Sequence, residues 1–176
     1  WPGALARDVA PEASRGRPER GEAESRDDVV EPRACPGGST GTHDHPWRIG
    51  LFGRLTAIKG HEVALRACAQ LIQQGMAVKL CIVGDTPQAS LRGILESVVE
   101  SLKLRDIVEW LGVRADIPAL LASMDAVIVP STYPESFGRT VVEAQAVGRP
   151  VVASRIGALP ELIEDGRQGL LVRPGD

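Results

Sequence analysis

From residue 47 onward, apolar and polar positions along the chain fall into two alternating rhythms. "WRIGLFGRL" opens with a short apolar run that closes on Gly-Arg, and "HEVALRACAQLIQQG" then places Val63, Leu65, Ala67, Leu71 and Ile72 near helical spacing before stopping at Gly75. "AVKLCIVG" predicts a strand, and "SLRGILESVVESLKL" a helix with Leu91, Ile94, Leu95, Val98, Val99 and Leu102 on one side. "DIVEWLG" is a strand, "DIPALLASM" a short helix with Pro118 in its first turn, and "DAVIVP" a strand again. A helix beginning near Arg139, the strand "PVVAS", a short helix in "ALPELIEDG" and the strand "GLLV" complete the series. Strands rich in apolar residues on both faces, alternating with helices, specify a parallel sheet covered on each side. The expected fold is a doubly wound α/β domain without internal repeats.

Residues 1–46 break this rhythm. They hold six prolines among many Arg, Asp and Glu residues, and their only large aliphatics are Leu5, Val9, Val29 and Val30. So little apolar surface cannot offset the entropy of ordering, so residues 1–46 are expected to form a disordered or irregular arm. Within it, "CPGGSTGTHDH" suggests a phosphate loop or a metal site. It lacks the Gly-Lys-Ser/Thr ending of the first, and Cys35, His43 and His45 lack the ligand spacing of the second. Neither reading is adopted, and no metal ligand is assigned.

Composition narrows the class. With 176 residues the chain can hold one sizeable domain, and a net charge of −3 gives it no basic face for nucleic acid. No eighteen-residue apolar run occurs. The chain opens on Trp1 without an apolar leader, which reads as a fragment. Three cysteines, Cys35, Cys68 and Cys81, show no paired spacing. Cys68 and Cys81 lie in apolar runs and are expected to be buried thiols, which fits a cytoplasmic location.

Ligands of open α/β sheets bind beyond the carboxyl ends of the strands. The loops expected there are "GRLTAIKG", "GDTPQAS", "PSTYPESFGR" and "SRIGALPE", all converging on one rim. Arg54 and Lys59 stand five apart across the first turn, beside Gly53 and Gly60. Two cations in a cleft suit a diphosphate, one as a planar fork and the other as a point charge; on a plain surface they would be solvated side chains. In "ESFGRTVVEAQA", the backbone amides around Phe137, Gly138, Arg139 and Thr140 are free donors at the positive end of a helix, a ready phosphate site. Glu135 precedes that helix and Glu143 lies about a turn inside it. Each acid can accept hydrogen bonds from sugar hydroxyls; alternatively, Glu135 favours the helix start and Glu143 is a solvated face residue. No G-x-G-x-x-G opens the first helix, which argues against a nicotinamide dehydrogenase. His61, at the start of that helix, is expected to face solvent.

Taken together, "GRLTAIKGHEVALRACAQL", "KLCIVGD", "PSTYPESFGRTVVEAQAVGRPVVAS" and "GALPELIEDGRQGLLVRPGD" resemble, in collinear order, the carboxy-terminal domain of retaining GT-B glycosyltransferases of family four, glycosyl transferases group 1. The resemblance covers about residues 47–176 and is most specific in the E-x7-E pair, Glu135 and Glu143. It implies a Rossmann-like half of a GT-B fold that binds a nucleotide-diphosphate sugar. Arg54 and Lys59 would hold the diphosphate, Glu135 the donor sugar and Glu143 the ribose. Gly53, Ser136, Phe137, Gly138, Arg139 and Thr140 would complete the donor contacts, and backbone atoms of Val113 and Arg114 would lie near the base. It also implies sugar transfer with retention and without a metal ion or other cofactor.

Family members also carry an amino-terminal acceptor domain and helices beyond the final strand. Residues 1–46 resemble neither, so residues 47–176 are expected to be a donor-binding domain truncated at its carboxy-terminal end and inactive alone. Peripheral membrane association of the intact enzyme is a further implication of the family. A nucleotide-sugar epimerase-like GT-B enzyme and a non-catalytic interaction module are the competing readings. The nucleotide base, the sugar and the acceptor are not specified by these motifs.

Overall fold

The computed structural model describes residues 45–86 and 88–176. The expected arm lies almost wholly outside these, as do Cys35 and His43.

Six strands form one parallel sheet: β1 (Trp47–Phe52), β2 (Val78–Val83), β3 (Val108–Gly112), β4 (Ala126–Val129), β5 (Val151–Ser154) and β6 (Gly169–Val172). Between them run α1 (His61–Gln73), α2 (Ala89–Ser101), α3 (Ile117–Ala122), α4 (Arg139–Ala146) and α5 (Leu159–Leu162). A 3₁₀ turn, Ala57–Lys59, precedes α1 and was not expected from the sequence.

The alternation within the strands shows why both faces are covered. In β1 and β2, Leu51, Leu80 and Ile82 join the core under α1 and α2, where Leu65, Cys68, Leu95 and Val99 meet them. Their neighbours Phe52, Cys81 and Val83 point the other way, into a core with Leu121, Val141, Ala144 and Leu159 of α3, α4 and α5. β1 and β2 therefore each bury residues in both cores, and continuous apolar runs are the result. Cys68 and Cys81 are buried free thiols, as their apolar surroundings led one to expect.

Strand order is β3-β2-β1-β4-β5-β6. The chain winds outward from β1 to β3, crosses back, and winds outward again from β4. The loops after β1 and β4 thus leave the sheet in opposite senses and open a crevice between them, the switch point where doubly wound sheets bind ligands. "GRLTAIKG" and "PSTYPESFGR" are the two loops at that point.

Candidate functional site

Three close backbone approaches shape the rim. Gly84 ends β2 against Gly53, where a Cβ would lie 2.0 Å from the Gly53 carbonyl oxygen. Gly60, with φ of 69°, seats the start of α1 against Pro130. Gly157, after β5, lies against the backbone of Glu135, and the Ala158 amide donates to the Glu135 carbonyl at 2.9 Å. Only a residue without a side chain permits such contacts.

Two adjoining hollows result. One, of about 480 Å³, is lined by Phe52, Arg54, Asp85, Val113, Ile117 and Glu143 among others. The second, of about 400 Å³, is lined by Lys59, Glu135, Ser136, Phe137 and Gly138. Gly53, Arg54, Arg139 and Thr140 line both, so the hollows form one cleft. The expected donor contacts Gly53, Arg54, Lys59, Glu135, Ser136, Phe137, Gly138, Arg139, Thr140 and Glu143 all line it, as do Val113 and Arg114. The β5 loop, expected on the same rim, lines neither hollow; it supports Glu135 from behind.

The two cations differ in state. Arg54 is exposed and makes no ion pair or hydrogen bond with any described residue. Lys59 is engaged: its Nζ donates to Glu135 Oε1 at 2.6 Å. Ser131 Oγ donates to the same oxygen, also at 2.6 Å. Burial alone would raise the Glu135 carboxyl above its ordinary value, but the bonds from Lys59 and Ser131 and the Lys59 charge hold it below that value. Glu135 is therefore an anion with one oxygen tied.

Helix α4 begins after Gly138, whose φ of 74° turns the chain sharply into the first turn. The amides of Phe137, Gly138, Arg139 and Thr140 find no acceptor among the described residues and point their dipoles out of the helix start. Glu143 lies one turn on, with Arg139 Nε 3.5 Å from its Oε1. Arg114 forks onto Asp116 with bonds of 2.9 and 2.8 Å, which fixes the loop after β3 beside the first hollow.

His61 departs from expectation. It is buried, 3% exposed, and neither ring nitrogen reaches a partner at hydrogen-bond geometry. Burial lowers its pKa to about 4; the Thr56 backbone favours the charged ring but is outweighed, and Lys59 lowers the value further. His61 stands on the same face of α1 as the buried Ala64, Leu65 and Cys68, so the i, i+3, i+4, i+7 spacing was the available signal. Ser131 was also missed. It continues the inward alternation of Val127 and Val129 past the end of β4, and that period-two pattern was the available signal.

The strand order and the cleft define a doubly wound α/β domain with a crevice at its switch point. The model of the family described as glycosyl transferases group 1 matches residues 46–176, and the chain belongs to that family. It is 40% identical over 130 residues to the D-inositol 3-phosphate glycosyltransferase of Corynebacterium jeikeium, an overlap covering 70% of this chain and 31% of that protein. Anabaena Alr3699/HepE, solved in complex with UDP and glucose, superposes with a TM-score of 0.71 at 40% identity, over 75% of this chain and 36% of that one. The carboxy-terminal domain of a group 1 family protein (LpcC) from Francisella tularensis has a TM-score of 0.66 at 30% identity, over 74% and 70% of the two chains. The chain thus spans about a third of the length of the curated relatives it matches. Among the described residues, no helix is long and apolar enough to cross a membrane, and no three His, Cys, Asp or Glu residues cluster as metal ligands.

Proposed function

We propose that residues 46–176 bind the nucleotide-diphosphate part of a donor sugar, and that in the intact enzyme this sugar passes to an acceptor hydroxyl with retention. The observation that carries the reading is the pairing of an uncommitted cation, Arg54, with uncommitted amides at the start of α4 across one cleft. An anion is the natural occupant of such a site, because each group offers a donor that costs no existing bond. Glu135 lines one hollow and Glu143 the other, with Arg54 in both, an order that suits two sugars joined through a pyrophosphate.

In this reading the bond between the anomeric carbon and the diphosphate oxygen breaks, and its electron pair leaves with the diphosphate. Arg54 and Lys59, with the helix dipole, stabilise that growing charge, which is the work a divalent ion performs in other transferases. The acceptor oxygen bonds to the anomeric carbon and passes its proton to the departing diphosphate oxygen. Glu135 holds the donor sugar and Glu143 the ribose. The acceptor comes from a partner domain, so residues 46–176 bind donor without turning it over. The bound form of HepE with UDP-glucose supports a uridine donor as the first to test.

Calorimetry with UDP, GDP and ADP tests the reading. Heat with one of them, lost about tenfold or more in affinity with Arg54→Ala, supports it, since a charge-assisted bond is worth roughly 1.5–3 kcal/mol. No heat with any of the three assigns the chain to a non-catalytic module. Epimerised free nucleotide sugar from the intact enzyme would replace transfer with epimerisation.

A further inference from the structure

Ser131 lies two residues beyond β4 and is 1% exposed, yet its hydroxyl reaches toward the cleft. It donates to Glu135 Oε1 at 2.6 Å, and Lys59 Nζ donates to that same atom at the same distance. Glu135 Oε2 accepts no bond from any described residue. The backbone beneath is also fixed, since the Ala158 amide holds the Glu135 carbonyl and Gly157 leaves room for nothing else. The carboxylate is thus held at one end and presented at the other.

We propose that Ser131 is a positioning residue for the donor sugar: with Lys59 it saturates one oxygen of Glu135 and turns the other toward the sugar hydroxyls in the cleft. The proposal rests on the donor-binding reading above. A buried serine on a lone carboxylate oxygen does two things. It holds the acid ionised, because the bond favours the charged form, and it removes a rotation the side chain would otherwise use to follow Lys59. When a diphosphate draws Lys59 away, Ser131 is the contact that keeps Glu135 in place. Ser131 touches no substrate itself; its effect passes through Glu135, so it separates sugar recognition from nucleotide recognition.

The test has two readouts on the chain as it stands, with Ser131→Ala and the volume-conserving Ser131→Cys. The first is titration of the Glu135 carboxyl by carbon NMR, without ligand. Both variants should move it upward, because a bond to the charged form is lost or weakened. The second is affinity for UDP, GDP and ADP set against UDP-glucose, GDP-mannose and ADP-glucose. Ser131→Ala should weaken the nucleotide sugar about tenfold, as expected for one charge-assisted bond, and leave the matching nucleotide within about twofold. An unchanged Glu135 titration overturns the proposal. So does an equal loss for nucleotide and nucleotide sugar, the mark of a merely structural role. If the unaltered chain binds none of the six, the donor-binding reading fails, and the titration alone decides whether Ser131 sets the state of Glu135.

Discussion

Gly60 faces Pro130 so closely that a Cβ on Gly60 would stand 1.8 Å from the Pro130 carbonyl oxygen. This contact joins the loop after β1 to the loop after β4 and so sets the width of the crevice. Gly60 also has a φ of 69°, which costs a side-chain-bearing residue about 1–2 kcal/mol. Gly60→Ala should therefore lose stability through both dihedral and clash. Gly75→Ala is the control, because Gly75 has a φ of 85° with nothing within 4 Å of the added carbon. In urea unfolding, Gly60→Ala should be the less stable of the two by at least about 1 kcal/mol, the difference being the clash. Equal midpoints would mean that the two loops separate without cost.

His61 predicts a pH dependence. Its folded pKa, lowered to about 4 chiefly by burial, lies below the ordinary 6.5, so the unfolded chain binds the extra proton first as pH falls. Stability is present in full above pH 6.5 and is lost as pH drops toward 4, by about 3 kcal/mol across the window. The upper part of this window, from pH 6.5 to 5, is where the histidine slope is read. His61→Leu, which replaces the ring with an apolar side chain, should flatten the unfolding midpoint over that range. A variant that follows the same slope would place the dependence elsewhere.

The fold was legible because local pattern and sheet agree. Apolar runs such as "KLCIVG" are read the same way by propensity and by a sheet covered on both faces, so six strands and five helices could be found in order. The crevice was legible for a different reason: strands alternating with helices in a parallel sheet put all βα loops on one rim, where Arg54 and Glu135 stand in the loops and Glu143 a turn into the helix that follows. What stayed hidden was how side chains pair across the crevice. Lys59 and Glu135 are 76 residues apart and meet only because β1 and β4 are neighbours. Sequence offered Lys59 as a free cation; the fold makes it half of an ion pair. His61 was misplaced because its residue type was read as polar and solvent-facing, although it is in phase with the buried stripe of Ala64, Leu65 and Cys68.

The two buried thiols give a chemical readout of folding. Burial pushes Cys68 up to about 11 and Cys81 up to about 12, so almost no thiolate exists at pH 8. In a Cys35→Ser background, iodoacetamide should leave both untouched in the native state and label both once denaturant unfolds the chain. Mass spectrometry of the alkylated protein checks this. Rapid labelling of Cys68 or Cys81 without denaturant would mean that the core under α1, or the β2 face toward α3, opens far more readily than its packing implies.

Glu143 separates ribose recognition from phosphate recognition. Its side chain is 39% exposed, and its pair with Arg139 spans one helical turn at 3.5 Å, an arrangement worth little to folding in water. Glu143→Ala should therefore leave the unfolding midpoint almost unchanged. Binding is where the loss should fall. A carboxylate that accepts from both ribose hydroxyls contributes charge-assisted bonds, so affinity for UDP or the matching nucleotide should drop roughly tenfold or more. Inorganic pyrophosphate has no ribose, and its affinity should hold or rise slightly, because removing an acid from the cleft lowers repulsion against the anion. The same comparison with Arg54→Ala should give the reverse pattern, with pyrophosphate and nucleotide weakened together. Should Glu143→Ala weaken both ligands alike, the acid would be acting on the helix start and not on a sugar.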